Sequence, residues 1–157
     1  MTFTSINPYT NKEIAAHQAL TEAELTEALN TAAAAFGPWR KTSFEHRAKL
    51  MQRAGEVLRN KQEEYARMIS LEMGKPINEA RGEITKCAWV CDFYADNAAK
   101  FLADEIIETD AQKSFVRNEP LGCVLAIMPW NFPFWQVFRF AAPTLMAGNT
   151  GVLKHAP

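Results

Sequence analysis

The fold is decided by residues 121–154, which read LGCVLAIMPWNFPFWQVFRFAAPTLMAGNTGVLK. Residues 121–128 are continuously apolar, which is typical of a strand covered on both faces in a parallel sheet. Residues 134–146 predict a helix that ends at a glycine and an asparagine, and residues 151–154 predict a second strand. A strand, a helix and a strand within about 30 residues form a βαβ unit. The sequence therefore indicates an α/β fold.

The residues before this unit predict helices. Thr21 and Glu24 form a capping box at the start of a helix that should end at Gly37-Pro38. Ser43 is a suitable cap for a second helix. Two further helices are predicted from apolar residues at helical spacing, over residues 62–73 and 77–102. Gly74 and Pro76 should end the first of these two.

The sequence pattern changes from helical to strand-like near residue 103. Residues 106–109 and 114–119 predict two short strands around a turn, a hairpin that is weakly specified on its own. The chain then divides into a helical part at residues 1–103, the hairpin at 104–120 and the βαβ unit at 121–157.

Composition excludes several classes of function. The formal net charge is −1, so no excess of positive charge attracts a nucleic acid. Residues 1–14 are polar and do not predict a secretory leader, and prolines and Asn131 interrupt the longest apolar stretch. We therefore expect a cytoplasmic protein that does not enter a membrane. The three cysteines lack the spacing of a zinc site, and we expect reduced thiols and no metal.

The segment Pro129-Trp130-Asn131-Phe132-Pro133 is the most informative for chemistry. It joins a strand to a helix, and ligands of open α/β sheets bind at the carboxyl ends of strands. Two prolines restrict the backbone of this turn, which can therefore hold the Asn131 amide in place as an oxyanion-stabilising donor. The alternative is a turn in which Asn131 bonds its own backbone.

Several motifs together resemble the aldehyde dehydrogenase superfamily in order and spacing. They are Asn7-Pro8, LEMGKP at 71–76, ARGE at 80–83, EPLG at 119–122, PWNFP at 129–133 and AGNTGVLK at 147–154. Among its members, those resembling succinate-semialdehyde dehydrogenases are most similar. The resemblance implies a helical region that leads into the first βαβ unit of an incomplete Rossmann-like cofactor-binding domain. It also implies that the hairpin serves oligomerisation.

The resemblance further implies roles for single residues. Asn131 would be catalytic, donating its amide to the oxygen of the attacked aldehyde. The residues implied to bind the cofactor, NAD or NADP, are Ile127, Met128, Pro129, Trp130, Lys154, His155 and Pro157. Lys154 would bond the adenosine ribose. Members that prefer NAD often carry a glutamate where this chain has Pro157, so the choice between NAD and NADP stays open.

A clue to the substrate lies on the helix after Asn131. Phe132, Trp135 and Arg139 are spaced to share one helix face and are the predicted substrate-binding residues. Members resembling succinate-semialdehyde dehydrogenases have arginine at the position of Arg139, where it pairs with the substrate's carboxylate. The alternative is an arginine that contacts a neighbouring subunit or covers the helix surface.

The same resemblance places the nucleophilic cysteine and the general base downstream of residue 157. We therefore expect the full-length protein to oxidise an aldehyde acid such as succinate semialdehyde to the dicarboxylic acid, as a homo-oligomer, either a dimer or a tetramer. Residues 1–157 alone should be inactive and either marginally stable or prone to aggregation. The alternative is a non-catalytic truncated module that associates with intact subunits through the hairpin.

Overall fold

The computed structural model describes residues 2–156, which form five helices and three two-stranded sheets. The helices are α1 (Glu22–Trp39), α2 (Phe44–Asn60), α3 (Gln62–Met73), α4 (Ile77–Phe101) and α5 (Trp135–Met146). The strands are β1 (Thr2–Ile6), β2 (Glu13–Gln18), β3 (Glu105–Ile106), β4 (Phe115–Val116), β5 (Cys123–Ile127) and β6 (Thr150–Lys154). The predicted mixed α/β class is confirmed.

The core lies where α2, α3, α4 and α5 pack together. Its largest fully buried side chains come from all four helices: Leu58, Ile69, Ile84, Cys87, Cys91 and Met146. Burial of such side chains is the main source of folding free energy. We call α2, α3 and α4 the helical layer.

The predicted helix caps are confirmed. The Glu24 backbone N–H donates to Thr21 Oγ1 at 3.2 Å, and the Thr21 N–H donates to Glu24 Oε2 at 2.8 Å. Ser43 Oγ accepts from the His46 N–H at 3.1 Å and begins α2. Gly74 ends α3 with a φ of 74°, a conformation that favours glycine.

The predicted end of α1 at Gly37-Pro38 is wrong, because the helix continues to Trp39. Proline removes one backbone donor, but the last turn is held by other contacts. The Arg40 N–H donates to the Phe36 carbonyl at 3.0 Å, and Trp39 Nε1 donates to the Leu145 carbonyl on α5 at 3.1 Å. A tertiary hydrogen bond thus anchors a turn that local propensity disfavours.

The antiparallel β1–β2 hairpin was missed by the sequence analysis, which found only helices in this half. Its strands are short and half exposed, so they lack the continuous apolar signal of β5. The connecting turn did carry a signal. Asn7 Oδ1 accepts from the backbone N–H groups of Tyr9 and Thr10 at 2.9 and 3.0 Å, which is an Asx turn beginning at Asn7-Pro8.

β5 and β6 pair in parallel, with Cys123 opposite Thr150 and Ile127 opposite Lys154, and α5 connects them. The predicted βαβ unit is confirmed. The buried Asn149 side chain joins the start of β5 to α5. Asn149 Oδ1 accepts from the Gly122 N–H at 3.1 Å, and Asn149 Nδ2 donates to the Thr144 carbonyl at 3.3 Å.

The prediction that β5 is covered on both faces is wrong. Val124 and Ala126 share the face that packs on α5, whereas α1 covers the other face only near Thr150, whose hydroxyl donates to the Ala32 carbonyl at 2.9 Å. Beyond α1, Leu125 is 61% exposed and Ile127 is 70% exposed. Cys123, which was expected inside a buried strand, is exposed too.

The hairpin predicted at 104–120 is present, with strands of two residues each. Arg117 Nε and Nη2 donate to the two Asp104 oxygens at 2.8 and 2.5 Å and close its base. Its apolar side chains Ile106 and Val116 are exposed. The strands are shorter than predicted because few side chains pack against them.

Candidate active site

The segment 128–134 leaves the carboxyl end of β5 and enters α5. The Met128 N–H donates to the Lys154 carbonyl at 3.0 Å, which extends the pairing with β6 by one residue. The Gln136 N–H donates to the Phe132 carbonyl at 3.0 Å, so helical hydrogen bonding already begins at Phe132. The turn is therefore tied to the sheet on one side and to the helix on the other.

Asn131 is exposed within this turn. Among residues 2–156 its side-chain amide has no hydrogen-bond partner, so the alternative of an Asn131 that bonds its own backbone does not hold. Its carbonyl oxygen, in contrast, accepts from Lys75 Nζ at 3.3 Å. The backbone of Asn131 is held while its amide stays free to donate to a ligand.

A buried ion pair lies behind the turn, between Lys75 and Glu83. The side chain of Lys75 is 7% exposed and that of Glu83 is 2% exposed. Glu83 Oε1 accepts from the backbone N–H groups of Phe134 and Trp135 at 2.9 and 3.0 Å. Since α5 has no side-chain cap of its own, Glu83 satisfies its first N–H groups from another helix.

This pair was not among the predicted site residues. One signal was available, because Glu83 lies on the buried stripe of α4 with Ala80, Ile84 and Cys87. A carboxylate on such a stripe needs a charged partner and hydrogen-bond donors. The sequence alone could not say that the start of α5 provides the donors, since it lies about fifty residues after Glu83.

The predicted substrate-binding residues are Phe132, Trp135 and Arg139. The first two pack against lysines, with Lys75 Nζ 3.8 Å from the Phe132 ring centroid and Lys86 Nζ 3.9 Å from the Trp135 ring centroid. Arg139 is exposed, and within residues 2–156 it makes neither an ion pair nor a side-chain hydrogen bond. Its guanidinium is available to an incoming anion.

The predicted cofactor residues separate into two groups. Ile127 and Lys154 are paired neighbours on the exposed face of β5 and β6, which we call the open face. Lys154 Nζ donates only to the adjacent His155 carbonyl, at 2.8 Å, among the described residues.

The second group lines a cavity of about 640 Å³ between the turn and the β1–β2 hairpin. Its predicted members are Met128, Pro129, Trp130 and His155. The His155 ring packs edge-on against Phe3, with 5.4 Å between the ring centroids. Pro157 lies outside the described residues.

The cysteines do not form part of this arrangement. Burial raises the pKa of Cys87 to about 12 and that of Cys91 to about 11, so both remain protonated thiols at neutral pH. Cys123 begins β5, whereas Asn131 follows the other end of that strand. No thiol within residues 2–156 is therefore placed to attack an aldehyde held by Asn131.

Within residues 2–156, none of the helices combines the length and the apolar character that crossing a membrane requires. No cluster of three or more potential metal-binding side chains occurs between residues 2 and 156.

Comparison with known proteins identifies the family. The sequence profile of the aldehyde dehydrogenase family matches residues 1–157. The chain is 48% identical over 156 residues to the "Probable succinate-semialdehyde dehydrogenase" of Synechocystis sp., whose name specifies NADP(+), covering 99% of this chain and 34% of that protein. It is 45% identical to the succinate semialdehyde dehydrogenase Sad of Escherichia coli K12, whose name specifies NAD(P)+. That match covers 98% of this chain and 33% of that protein.

Solved structures agree. The succinic semialdehyde dehydrogenase from Streptococcus pyogenes, solved with NADP+, matches with a TM-score of 0.93 and 36% identity over 98% of this chain and 34% of that one. The structure of Gox0499, which concerns cofactor and substrate selection, matches with a TM-score of 0.96 and 34% identity. That match covers 100% of this chain and 35% of that one. The chain spans about a third of the length of the curated relatives it matches.

Proposed function

This chain belongs to the aldehyde dehydrogenase family, and from that premise we propose that it contributes to the NAD- or NADP-dependent oxidation of succinate semialdehyde to succinate. The observation that carries the proposal is the Asn131 turn. An unpartnered amide stands on a backbone that is tied to β6, to α5 and to a buried ion pair. This is the arrangement that a preorganised hydrogen-bond donor requires.

Asn131 would act on the aldehyde oxygen. When a nucleophile adds to the carbonyl carbon, negative charge develops on that oxygen, and the Asn131 amide stabilises it by donating a hydrogen bond. Such an interaction is stronger in the transition state than in the bound aldehyde, so it accelerates the reaction. The amide needs no reorganisation in that step, since no other group in residues 2–156 competes for it.

The open face fits a dinucleotide. Ile127 and Lys154 stand at the carboxyl ends of two parallel strands, where open α/β sheets bind such ligands. Ile127 offers an apolar surface that is 70% exposed, and the Lys154 ammonium offers hydrogen-bond donors to ribose hydroxyls. The bound cofactor supplies a hydride acceptor. NADP is the first choice for this chain, because the similar enzymes named above carry NADP(+) or NAD(P)+ in their names.

Arg139 would select the substrate. It follows Trp135 by one helical turn and lies on the helix that the Asn131 turn begins. Its side chain has no carboxylate partner among the described residues. A guanidinium binds a carboxylate through two parallel hydrogen bonds, so Arg139 would hold the distal carboxylate of an aldehyde acid.

The hairpin at 104–120 would join subunits. Ile106 and Val116 are 65% and 53% exposed on strands with unpaired outer edges, a surface suited to pairing with a second chain. An Ile106→Asp variant of the full-length protein should shift to a smaller assembly in light scattering. An unchanged mass would argue against this role.

The experiment on activity uses the full-length encoded protein. We expect turnover of succinate semialdehyde with NADP or NAD, and Asn131→Ala should lower kcat by about a hundred- to a thousandfold. Asn97→Ala is the matched control, because among residues 2–156 the Asn97 amide bonds only the Phe93 carbonyl on its own helix. Full activity of the Asn131→Ala variant would contradict the proposed role.

The substrate assignment has its own test. Arg139→Ala should raise the KM for succinate semialdehyde by about ten- to a hundredfold, as expected for the loss of a charged hydrogen-bond pair, and change that for butanal little. Arg53→Ala on α2, an exposed arginine distant in sequence, is the control. Equal effects of Arg139→Ala on both aldehydes would contradict a carboxylate site.

A further inference from the structure

The Lys75–Glu83 pair makes all its hydrogen bonds within residues 2–156 to itself and to the Asn131 turn. Glu83 Oε1 accepts from the Phe134 and Trp135 N–H groups, and Glu83 Oε2 accepts from Lys75 Nζ. Lys75 Nζ donates in addition to the Asn131 carbonyl at 3.3 Å. The pair therefore holds the turn on both sides of Phe132, whose ring lies against Lys75 Nζ.

Burying the Lys75–Glu83 pair has a considerable desolvation cost. Both side chains are almost fully buried, and burying two charges is unfavourable unless their remaining hydrogen bonds are satisfied. Here the amino end of α5 supplies part of that compensation, because its N–H groups carry partial positive charge. If the pair served packing alone, two apolar side chains of similar volume would stabilise the fold equally well.

The backbone around Lys75 is itself restricted. Gly74 has a φ of 74°, and an added Cβ there would come within 3.1 Å of Pro8 Cγ. Pro76 follows directly with a φ of −52°. Lys75 thus projects from a segment with little freedom, so the position of its ammonium group is well defined relative to the Asn131 carbonyl.

We propose that Lys75 and Glu83 are positioning residues for Asn131: the pair fixes the turn, and thereby the place from which the Asn131 amide meets the aldehyde oxygen. The inference rests on the proposed function of Asn131. A displacement of about 1 Å of a catalytic group can cost a hundredfold in rate. The pair connects the helical layer to the reacting group from behind the turn, where both side chains are almost fully buried.

The test is a double-mutant cycle in the full-length protein. Lys75→Met keeps the length of the stem and removes the charge, and it should lower kcat for succinate semialdehyde by about ten- to a hundredfold with little change in KM. In the Asn131→Ala background the same substitution should have no further effect on kcat, because its consequence passes through Asn131. A structural role would lower kcat by the same factor in both backgrounds.

Two further variants keep the result decisive. If Lys75→Met fails to fold, the double variant Lys75→Met/Glu83→Gln removes both charges, and we expect it to fold but to retain a low kcat. Arg59→Met/Asp92→Asn, which removes a pair joining α2 to α4, is the control and should keep the parent kcat. Parent kcat in the double variant at Lys75 and Glu83 would overturn the inference.

The outcomes separate this inference from the function it rests on. If Asn131→Ala lowers kcat and Lys75→Met does not, only the positioning role is wrong. If Asn131→Ala itself leaves kcat unchanged, the proposed function fails and the positioning role fails with it. Amide exchange at Phe134 and Trp135, which should be faster in Lys75→Met than in the parent, provides a readout that is independent of turnover.

Discussion

The helical layer and the βαβ unit both contain large apolar side chains, yet they differ in how those side chains are covered. Ile84 and Leu58 in the layer are 0% and 1% exposed, whereas Ile127 and Leu125 in β5 are 70% and 61% exposed. The inward-facing side chains of the layer are covered by neighbouring helices. The βαβ unit has α5 on one face and only the edge of α1 on the other. Packing is thus concentrated in one region and the candidate chemistry in the other, with Lys75 and Glu83 between them.

The largest expected effect concerns thiol reactivity. Burial raises the pKa of Cys87 to about 12 and that of Cys91 to about 11, so at pH 8 both are almost entirely protonated thiols. Cys123 in the βαβ unit is exposed. In the native 157-residue chain, iodoacetamide should therefore label Cys123 alone, as peptide mass mapping would show. Denaturant should make all three reactive, and rapid native labelling of Cys87 would contradict the difference in burial.

Matched isoleucines give the next largest effect. Ile84→Ala should lower the free energy of unfolding by about 2–5 kcal/mol, because it leaves a cavity in the helical layer. Ile127→Ala should change it by about 0.5 kcal/mol or less, since that side chain is already in water. Urea unfolding of the two variants measures both values. Similar losses would mean that the open face is covered in solution.

Matched glycines test the close approach of α5 to β6. An added Cβ at Gly151 would lie 2.9 Å from Phe140 Cζ, so Gly151→Ala should destabilise the chain by about 1–3 kcal/mol through overpacking. Gly82 on α4 has nothing within 4 Å, and Gly82→Ala should stabilise it by about 0.5–1 kcal/mol through helix propensity. Thermal unfolding should show shifts of opposite sign. A neutral Gly151→Ala would show that the Phe140 ring can move aside and does not hold α5 tightly on the sheet.

The smallest expected effect is a pH dependence in the hairpin that joins the two regions. The hydrogen bonds from Arg117 lower the pKa of Asp104. A lowered folded pKa means that this contribution to stability is complete above the ordinary Asp pKa and is lost as the pH falls through the lowered value. Carboxyl NMR titration should show the Asp104 pKa rising in Arg117→Gln. An unchanged pKa would exclude the ion pair in solution.

Local patterns predicted much of the fold because their causes are local. The Thr21–Glu24 box, the Ser43 cap and the Gly74 terminus depend on neighbouring residues, and all three are confirmed. The end of α1 and the β1–β2 hairpin were not predicted correctly. A hydrogen bond from Trp39 to α5 determines the first, and pairing of two weak strands determines the second.

The candidate site divides in the same way. PWNFP identified Asn131 because prolines and a polar residue between a strand and a helix are a local signal, and the roles of Asn131, Arg139 and Lys154 stay predictions. No such local signal shows what the Lys75–Glu83 pair does, because the backbone groups that it contacts, at Asn131 and Phe134, lie about fifty residues downstream.

By itself, the sequence determined the family, the helices with their caps and the βαβ order, all of which follow from short-range patterns and motif spacing. Only the tertiary structure decided which apolar residues are covered and what holds the Asn131 turn. The physical reason is that burial and ion pairing depend on which distant segments meet. An apolar strand has the same sequence pattern whether or not a helix covers its face. The burial of Glu83 is compensated only because Lys75 and the N–H groups of α5 contact its carboxylate.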